Sequence, residues 1–105
     1  MRRSDDPTEA LELWLDVETR RCGARALSVS TPQGIPIAQS GPVDPRRLAI
    51  AASLASRGAR VASQEELPNV DGRSLQVGDG LELVLGSCGT FIPHDAERHV
   101  QRILR

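Results

Sequence analysis

The sequence predicts one α/β domain of the α+β type, in which an antiparallel sheet of about four or five strands is flanked by helices. Stretches with helical periodicity alternate with stretches of period two, and glycine- and proline-rich turns join the predicted strands in pairs. The predicted order is helix, two strands, helix, two strands with an optional third, and helix. The 105 residues form a single domain over 1–105, because a second domain has no room.

The first helix begins at Asp6-Pro7, since aspartate suits the N-cap and proline suits the first helical position. Gly23 is a natural stop after its last turn. The width of its apolar sector predicts a helix that is covered on more than one side. One face carries Leu11, Trp14, Leu15 and Glu18, with Ala10, Leu13 and Val17 beside it.

A period of two begins at Ala24 and predicts a strand with one well-buried face. Residues 31–34, Thr-Pro-Gln-Gly, have the proline and glycine positions of a tight turn, and a second strand follows. Pro36 cannot donate a hydrogen bond to a neighbouring strand, so the second strand is predicted to lie at the edge of the sheet.

Asp44-Pro45 repeats the cap-and-proline signal and starts a second helix that ends near Gly58. Small residues dominate this helix, which predicts close packing and burial on two sides. Pro68 and the Asp71-Gly72 pair indicate that the stretch before the next strand is a loop.

The last third of the chain predicts a hairpin followed by a helix. The strands are 73–77 and 81–85, joined by Gly78-Asp79-Gly80. Residues 86–89, Gly-Ser-Cys-Gly, are expected to interrupt the second strand, and 90–92 could add one short strand. A helix is predicted over 94–105, because Ala96, Val100, Ile103 and Leu104 share one face.

Composition narrows the classes of function. The chain carries 13 basic residues, all arginine, and 14 acidic residues, for a net charge of −1. This balance and an aromatic content of 2% disfavour nucleic-acid binding, which needs a cationic surface and stacking platforms. No apolar run reaches the roughly 18 residues of a membrane span, and the N-terminus lacks a signal-peptide pattern. A cytoplasmic protein without membrane insertion is expected, and the arginine usage indicates a bacterial source.

Few residues could carry chemistry. Cys88, His94 and His99 are the candidate metal ligands, but the two histidines are five apart and diverge by about 140° on a helix. Cys88 with a histidine could form a nucleophile pair, although no third group is evident that would orient the histidine. The glycine-rich stretches lack the lysine and helix of a phosphate loop. We therefore predict a non-enzyme without catalytic residues, metal or cofactor.

Two further features favour a protein partner. Arg46 and Arg47 lie at a helix start, where positive charge opposes the helix dipole, and such a pair would suit an acidic partner. Trp14 is predicted to anchor the core, although tryptophan is also frequent in interfaces.

The element order and three stretches resemble the roadblock (dynein light chain) family, whose fold is related to that of profilin. Residues 23–38 are similar to the family's opening hairpin with its Gly-x-Pro-Ile-Ala second strand. Residues 48–54 are like its alanine-rich central helix, and the helix after Ile92-Pro93 is like its closing helix. The family usually has three strands after the central helix, for which 73–92 is barely long enough.

The resemblance implies a homodimer that joins sheets and central helices across a two-fold axis. It also implies a partner that is typically a Ras-like small GTPase, or a scaffold that recruits one. Bacterial members of the family include regulators that stimulate GTPase turnover without inserting an arginine finger. The predicted dimer contact is the small face of the central helix, Ala49, Ala52 and Ser53, with Arg46 and Arg47 also available to a partner.

Two other hypotheses about the function remain open from the sequence alone. One is a small-ligand sensor of the profilin, PAS or GAF type, although its pocket should be lined by more aromatic residues than this chain has. The other is a structural module that self-associates without a GTPase partner.

Overall fold

A computed structural model of the protein describes residues 7–59, 67–78 and 80–104. Over these ranges the order of elements confirms the predicted α+β class, and 90–92 is irregular rather than a fifth strand. The elements are helices α1 (Pro7–Cys22), α2 (Pro45–Ser56) and α3 (Ala96–Ile103), and strands β1 (Ala26–Ser30), β2 (Pro36–Ser40), β3 (Asp71–Val77) and β4 (Leu81–Cys88).

The four strands form one antiparallel sheet with the spatial order β2-β1-β4-β3. The first and last strands of the chain therefore pair in the middle, with Val29 opposite Leu85. β2 and β3 lie at the two edges of the described sheet, and the edge position predicted for β2 from Pro36 is confirmed.

Local signals account for several element boundaries. The Asp44 carboxylate accepts a hydrogen bond from the Arg46 N–H at 3.0 Å and caps α2, with proline in the first turn. In the β1–β2 turn, the Gly34 N–H donates to the Thr31 carbonyl oxygen at 3.0 Å. The predicted cap at Asp6 and the turn residue Asp79 lie outside the described residues.

Helices cover both faces of the sheet. α1 and α3 pack on one face and share a core with all four strands, formed by Leu11, Leu15, Leu27, Val29, Ala38, Leu75, Val77, Leu83, Leu85, Ile92, Ala96 and Val100. α2 packs on the other face over a smaller cluster, formed by Ala26, Val43, Leu48, Ala51, Leu67 and Cys88.

The prediction of a single well-buried face on β1 is wrong, because all five of its residues are buried. β1 is an inner strand of a sheet that is covered on both sides. Its serines bring polar atoms into the interior, and the hydroxyl oxygens of Ser28 and Ser30 have no hydrogen-bond partner among the described residues.

The ends of the second hairpin also differ from prediction. Asp71 and Gly72 begin β3 instead of forming a loop, and β4 continues without interruption through residues 86–88. Glycine and serine usually weaken strands, but here they pair across the sheet, with Gly72 opposite Gly86.

The helices are covered on fewer sides than expected. In α1 only the face with Leu11, Leu15 and Glu18 is buried, whereas Leu13 and Val17 are exposed. α2 is buried only on its sheet side, and α3 begins at Ala96 rather than at residue 94. The predicted apolar face of α3 is confirmed by the burial of Ala96 and Val100.

Candidate interaction surface

The contact between α2 and the sheet is unusually close because two glycines face the helix. A Cβ atom on Gly86 would lie 2.6 Å from both the Ala52 Cβ and the Ser28 Oγ, closer than real Cβ atoms approach their neighbours. A Cβ on Gly72 would collide with the carbonyl oxygen of Ala52. The small residues of α2 therefore fit against small residues of β3 and β4 within one chain.

This packing corrects the predicted dimer contact. Ala49 and Ala52 are fully buried and Ser53 is 5% exposed, all within the single chain. The sequence pattern identified a face that packs closely, but that face is occupied by the chain's own sheet. Arg46 and Arg47, the other two residues of the predicted surface, are exposed at the N-terminal end of α2.

The exposed side chains of α2 that follow Arg47 are apolar. Ile50 is 52% exposed and Leu54 is 44% exposed, one turn apart on the side away from the sheet. Ile35, which is 60% exposed, follows Gly34 in the β1–β2 turn, and Gly34 lies against Ile50. We call these three residues, Ile35, Ile50 and Leu54, the α2 face.

Hydrogen bonds hold the turn against the helix, so the α2 face has a defined shape. The Ser53 hydroxyl and the Arg57 guanidinium both donate to the Pro32 carbonyl oxygen, at 2.5 and 2.7 Å. The Ile35 N–H donates to the Thr31 hydroxyl oxygen at 3.1 Å. An apolar surface that is already ordered loses little conformational entropy when a partner covers it.

β3 is an edge strand of the sheet and lies beneath α2. β4 is the only strand that pairs with β3 among the described residues, and the Gln101 side-chain amide donates to the Gln76 carbonyl oxygen of β3 at 2.8 Å. Gly72 of β3 contacts Ala52 and Ser56 of α2, which places the helix over this edge strand. This contact is on the buried, sheet-facing side of α2, whereas the α2 face is on its exposed side.

Other exposed apolar side chains are scattered over the surface. Leu13 and Val17 lie one turn apart on α1 and are 54% and 60% exposed, and Phe91 is 84% exposed after β4. Periodicity did not separate these exposed positions from buried ones, because α1 and α2 carry apolar residues around much of their circumference. Isolated exposed apolar residues are ordinary on protein surfaces. A cluster of them whose shape is fixed, such as the α2 face, is a better indication of a binding surface.

A small cavity lies at the N-terminal end of α2. Its volume is about 240 Å³, and its lining includes Arg25, Asp44 and Arg47. Pockets for small organic ligands usually measure about 300–1,000 Å³ and are rich in aromatic residues. None of the described residues that line this cavity is aromatic, so the cavity gives the small-ligand sensor hypothesis little support.

The candidate cysteine and histidine residues do not meet. Cys88 is fully buried on the α2 side of the sheet, and its thiol donates to the Pro68 carbonyl oxygen at 3.3 Å. Burial raises the pKa of the Cys88 thiol, although the charge of Arg25 works in the opposite direction. His99 belongs to α3 on the other face of the sheet, and His94 is exposed. A Cys88–histidine nucleophile pair is therefore not assembled.

His99 instead joins α3 to α1. Its ring stacks on Trp14, with centroids 5.8 Å apart and an interplanar angle of 28°. The His99 Nε2 lies 3.4 Å from the Asp95 Oδ2, which supplies the orienting group that the sequence did not reveal. Trp14 is half-buried, consistent with its predicted role as a core anchor.

This cluster predicts a pH dependence. Desolvation works to raise the pKa of Asp95, but the hydrogen bond from His99 and the charges of His99 and Arg21 outweigh it and lower the pKa. Ionised Asp95 therefore stabilises the fold above its unfolded pKa of about 3.9, and that contribution is lost as the pH falls through the lower folded value.

We expect Asp95→Asn to lower the melting temperature at pH 7 by about 1–3 °C, the scale of an exposed ion pair. The difference between the variant and the wild type should shrink between about pH 5 and pH 3. Thermal melts followed by the fluorescence of Trp14, the single tryptophan, measure it. A difference that stays constant over this range would contradict the assignment.

Comparisons of the chain with protein-family models, curated proteins and solved structures gave no significant match. No helix within the described ranges is long and apolar enough to cross a membrane. The same residues contain no group of three or more histidine, cysteine, aspartate or glutamate side chains arranged to hold a metal ion. The roadblock resemblance thus depends on the element order and the three quoted stretches, and the described chain forms two strands after α2 where the family usually has three.

Proposed function

We propose that the protein is a non-catalytic protein-binding module of the cytoplasm that forms a homodimer and serves as a regulator or scaffold for a Ras-like small GTPase. The observation that carries the proposal is the α2 face, an exposed apolar surface whose shape is fixed by hydrogen bonds between α2 and the β1–β2 turn. The GTPase partner is supported by the roadblock resemblance.

The geometry suits self-association across a two-fold axis. Packing the α2 faces of two copies together would remove three exposed aliphatic side chains per chain from water, at about 25 cal/mol for each Å² of apolar area. Pairing of the two β3 edges would satisfy backbone groups and join the two four-stranded sheets into one. Such an isologous contact uses the same patch on both copies, as closed dimers require.

The GTPase part of the proposal is tested by affinity capture from a lysate of the source organism. The protein serves as bait in the presence of GDP and, separately, of a non-hydrolysable GTP analogue, and mass spectrometry identifies what is retained. We expect one small GTPase to be enriched in one nucleotide state over the other. Recovery of no GTPase in either state would leave the self-associating structural module as the better function.

A further inference from the structure

The outer side of α1 carries apolar side chains that the described fold leaves uncovered. Leu13 and Val17 lie one turn apart, and both are more than half exposed. Trp14 lies beside them and is half-buried, and its ring is held in place by stacking on His99 of α3. We call Leu13, Trp14 and Val17 the α1 face. It lies on the opposite side of the sheet from α2, so a contact through α2 leaves it uncovered.

Three exposed carboxylates lie along the flank of the α1 face that is turned away from α3, and we call them the acidic flank. They belong to Glu9, Glu12 and Asp16. The Asp16 carboxylate accepts a hydrogen bond from the Ser40 hydroxyl at 2.6 Å, so this flank borders β2. Neither Glu9 nor Glu12 is in an ion pair with a described residue.

The helix dipole accounts for only part of this charge. A carboxylate is favoured in the first turn of a helix, where Glu9 lies, but the effect fades beyond that turn. Glu12 and Asp16 lie in the second and third turns, and the two arginines of α1 are confined to its last turn. The first three turns therefore present carboxylates next to exposed apolar side chains.

This combination fits a helix whose own apolar stripe is bordered by lysine or arginine. The aliphatic side chains of such a helix would cover Leu13 and Val17, and its cations would lie opposite the acidic flank. Trp14 adds a rigid aromatic side chain of the kind that often dominates the energy of an interface. A nucleic acid or an acidic lipid surface would instead be repelled by the same carboxylates.

We propose that the α1 face is a docking site for a basic amphipathic helix of a partner protein. The apolar stripe of the partner packs on the α1 face, and its cations pair with the acidic flank. The proposal does not rest on self-association or on a GTPase. Because α1 and α2 cover opposite faces of the sheet, either surface can be occupied without the other.

The test uses Trp14, the single tryptophan, as a reporter within the site. The protein is titrated with an acetylated and amidated peptide of about 15 residues, made of leucine, alanine and lysine with the leucines on one helical face. We expect the emission of Trp14 to change with a dissociation constant on the order of 10–100 μM at about 0.05 M salt, and binding to weaken at about 1 M salt. The same peptide with glutamate in place of lysine should not bind.

Leu13→Gln/Val17→Gln should weaken binding of the lysine peptide at least about tenfold, because it removes the aliphatic part of the α1 face. Glu9→Gln/Glu12→Gln should weaken it about threefold to tenfold at low salt, and the difference should vanish at about 1 M salt. Glu82→Gln is the control and should leave binding unchanged. Glu82 is an exposed carboxylate on the side of the sheet that α2 covers.

Ile50→Gln/Leu54→Gln should bind the peptide as tightly as the wild type, which separates this site from the α2 face. Emission that stays constant up to about 1 mM peptide would overturn the proposal. Equal binding by Leu13→Gln/Val17→Gln, or a loss confined to Ile50→Gln/Leu54→Gln, would do the same. A Leu13→Gln/Val17→Gln protein that sediments at a lower mass than the wild type would assign the α1 face to a second copy instead.

Discussion

Gly86→Ala is expected to lower the free energy of unfolding by about 2–3 kcal/mol, as overpacking of a close contact does. The new Cβ would lie 2.6 Å from the Ala52 Cβ and the Ser28 Oγ, so either α2 or β1 must move away. Because Gly86 does not have a positive φ, its backbone accepts alanine and the loss is steric. Chemical denaturation measures it as a lower midpoint at unchanged slope.

Two further variants make this test specific. Gly58→Ala places a Cβ where nothing lies within 4 Å, so its cost should be limited to the roughly 1–2 kcal/mol of alanine at positive φ. Adding Ala52→Gly to Gly86→Ala removes one of the colliding atoms, so the double variant should lose less stability than the sum of the two single losses, which a double-mutant cycle detects. A Gly86→Ala protein as stable as the wild type would show that α2 does not approach β4 so closely.

The parts of the fold that were predictable have local causes. The cap at Asp44 and the turn at Thr31–Gly34 are made by residues close in sequence, so their signals can be read without the rest of the molecule. The edge position of β2 followed in the same way from the missing N–H of Pro36.

The errors arose where distant elements decide the outcome. Gly86 indicated an interruption, because glycine weakens an isolated strand, but here it lets α2 lie against the sheet. β1 is buried on both faces because α2 covers one face of the sheet and α1 and α3 cover the other. The alternation of serine with apolar residues in β1 carries no information about these distant helices.

The candidate site shows the same limit. Small residues at helical spacing indicate close packing, but they do not indicate whether the neighbour belongs to the same chain or to another. Ala49, Ala52 and Ser53 were therefore predicted to contact a second copy, whereas they are buried within the single chain. Bulky substitution of Ala52 would therefore test the fold rather than a dimer. The informative positions are the exposed ones, Ile50 and Leu54.

Replacing both Ile50 and Leu54 with glutamate is expected to weaken self-association at least about 100-fold, because it buries unpaired charge at the centre of the contact. Both side chains are about half exposed in the single chain, so the fold should tolerate the change. The matched control is Leu13→Glu/Val17→Glu, an exposed pair with the same spacing on α1, which should leave self-association unchanged.

Sedimentation equilibrium of the wild type and the two double variants tests the interaction surface most directly. With α2 as the interface, the wild type and the α1 variant sediment at twice the chain mass of 11.3 kDa, and the α2 variant sediments at the mass of one chain. A wild type that stays monomeric at every concentration, or an α2 variant that remains dimeric, would contradict the account.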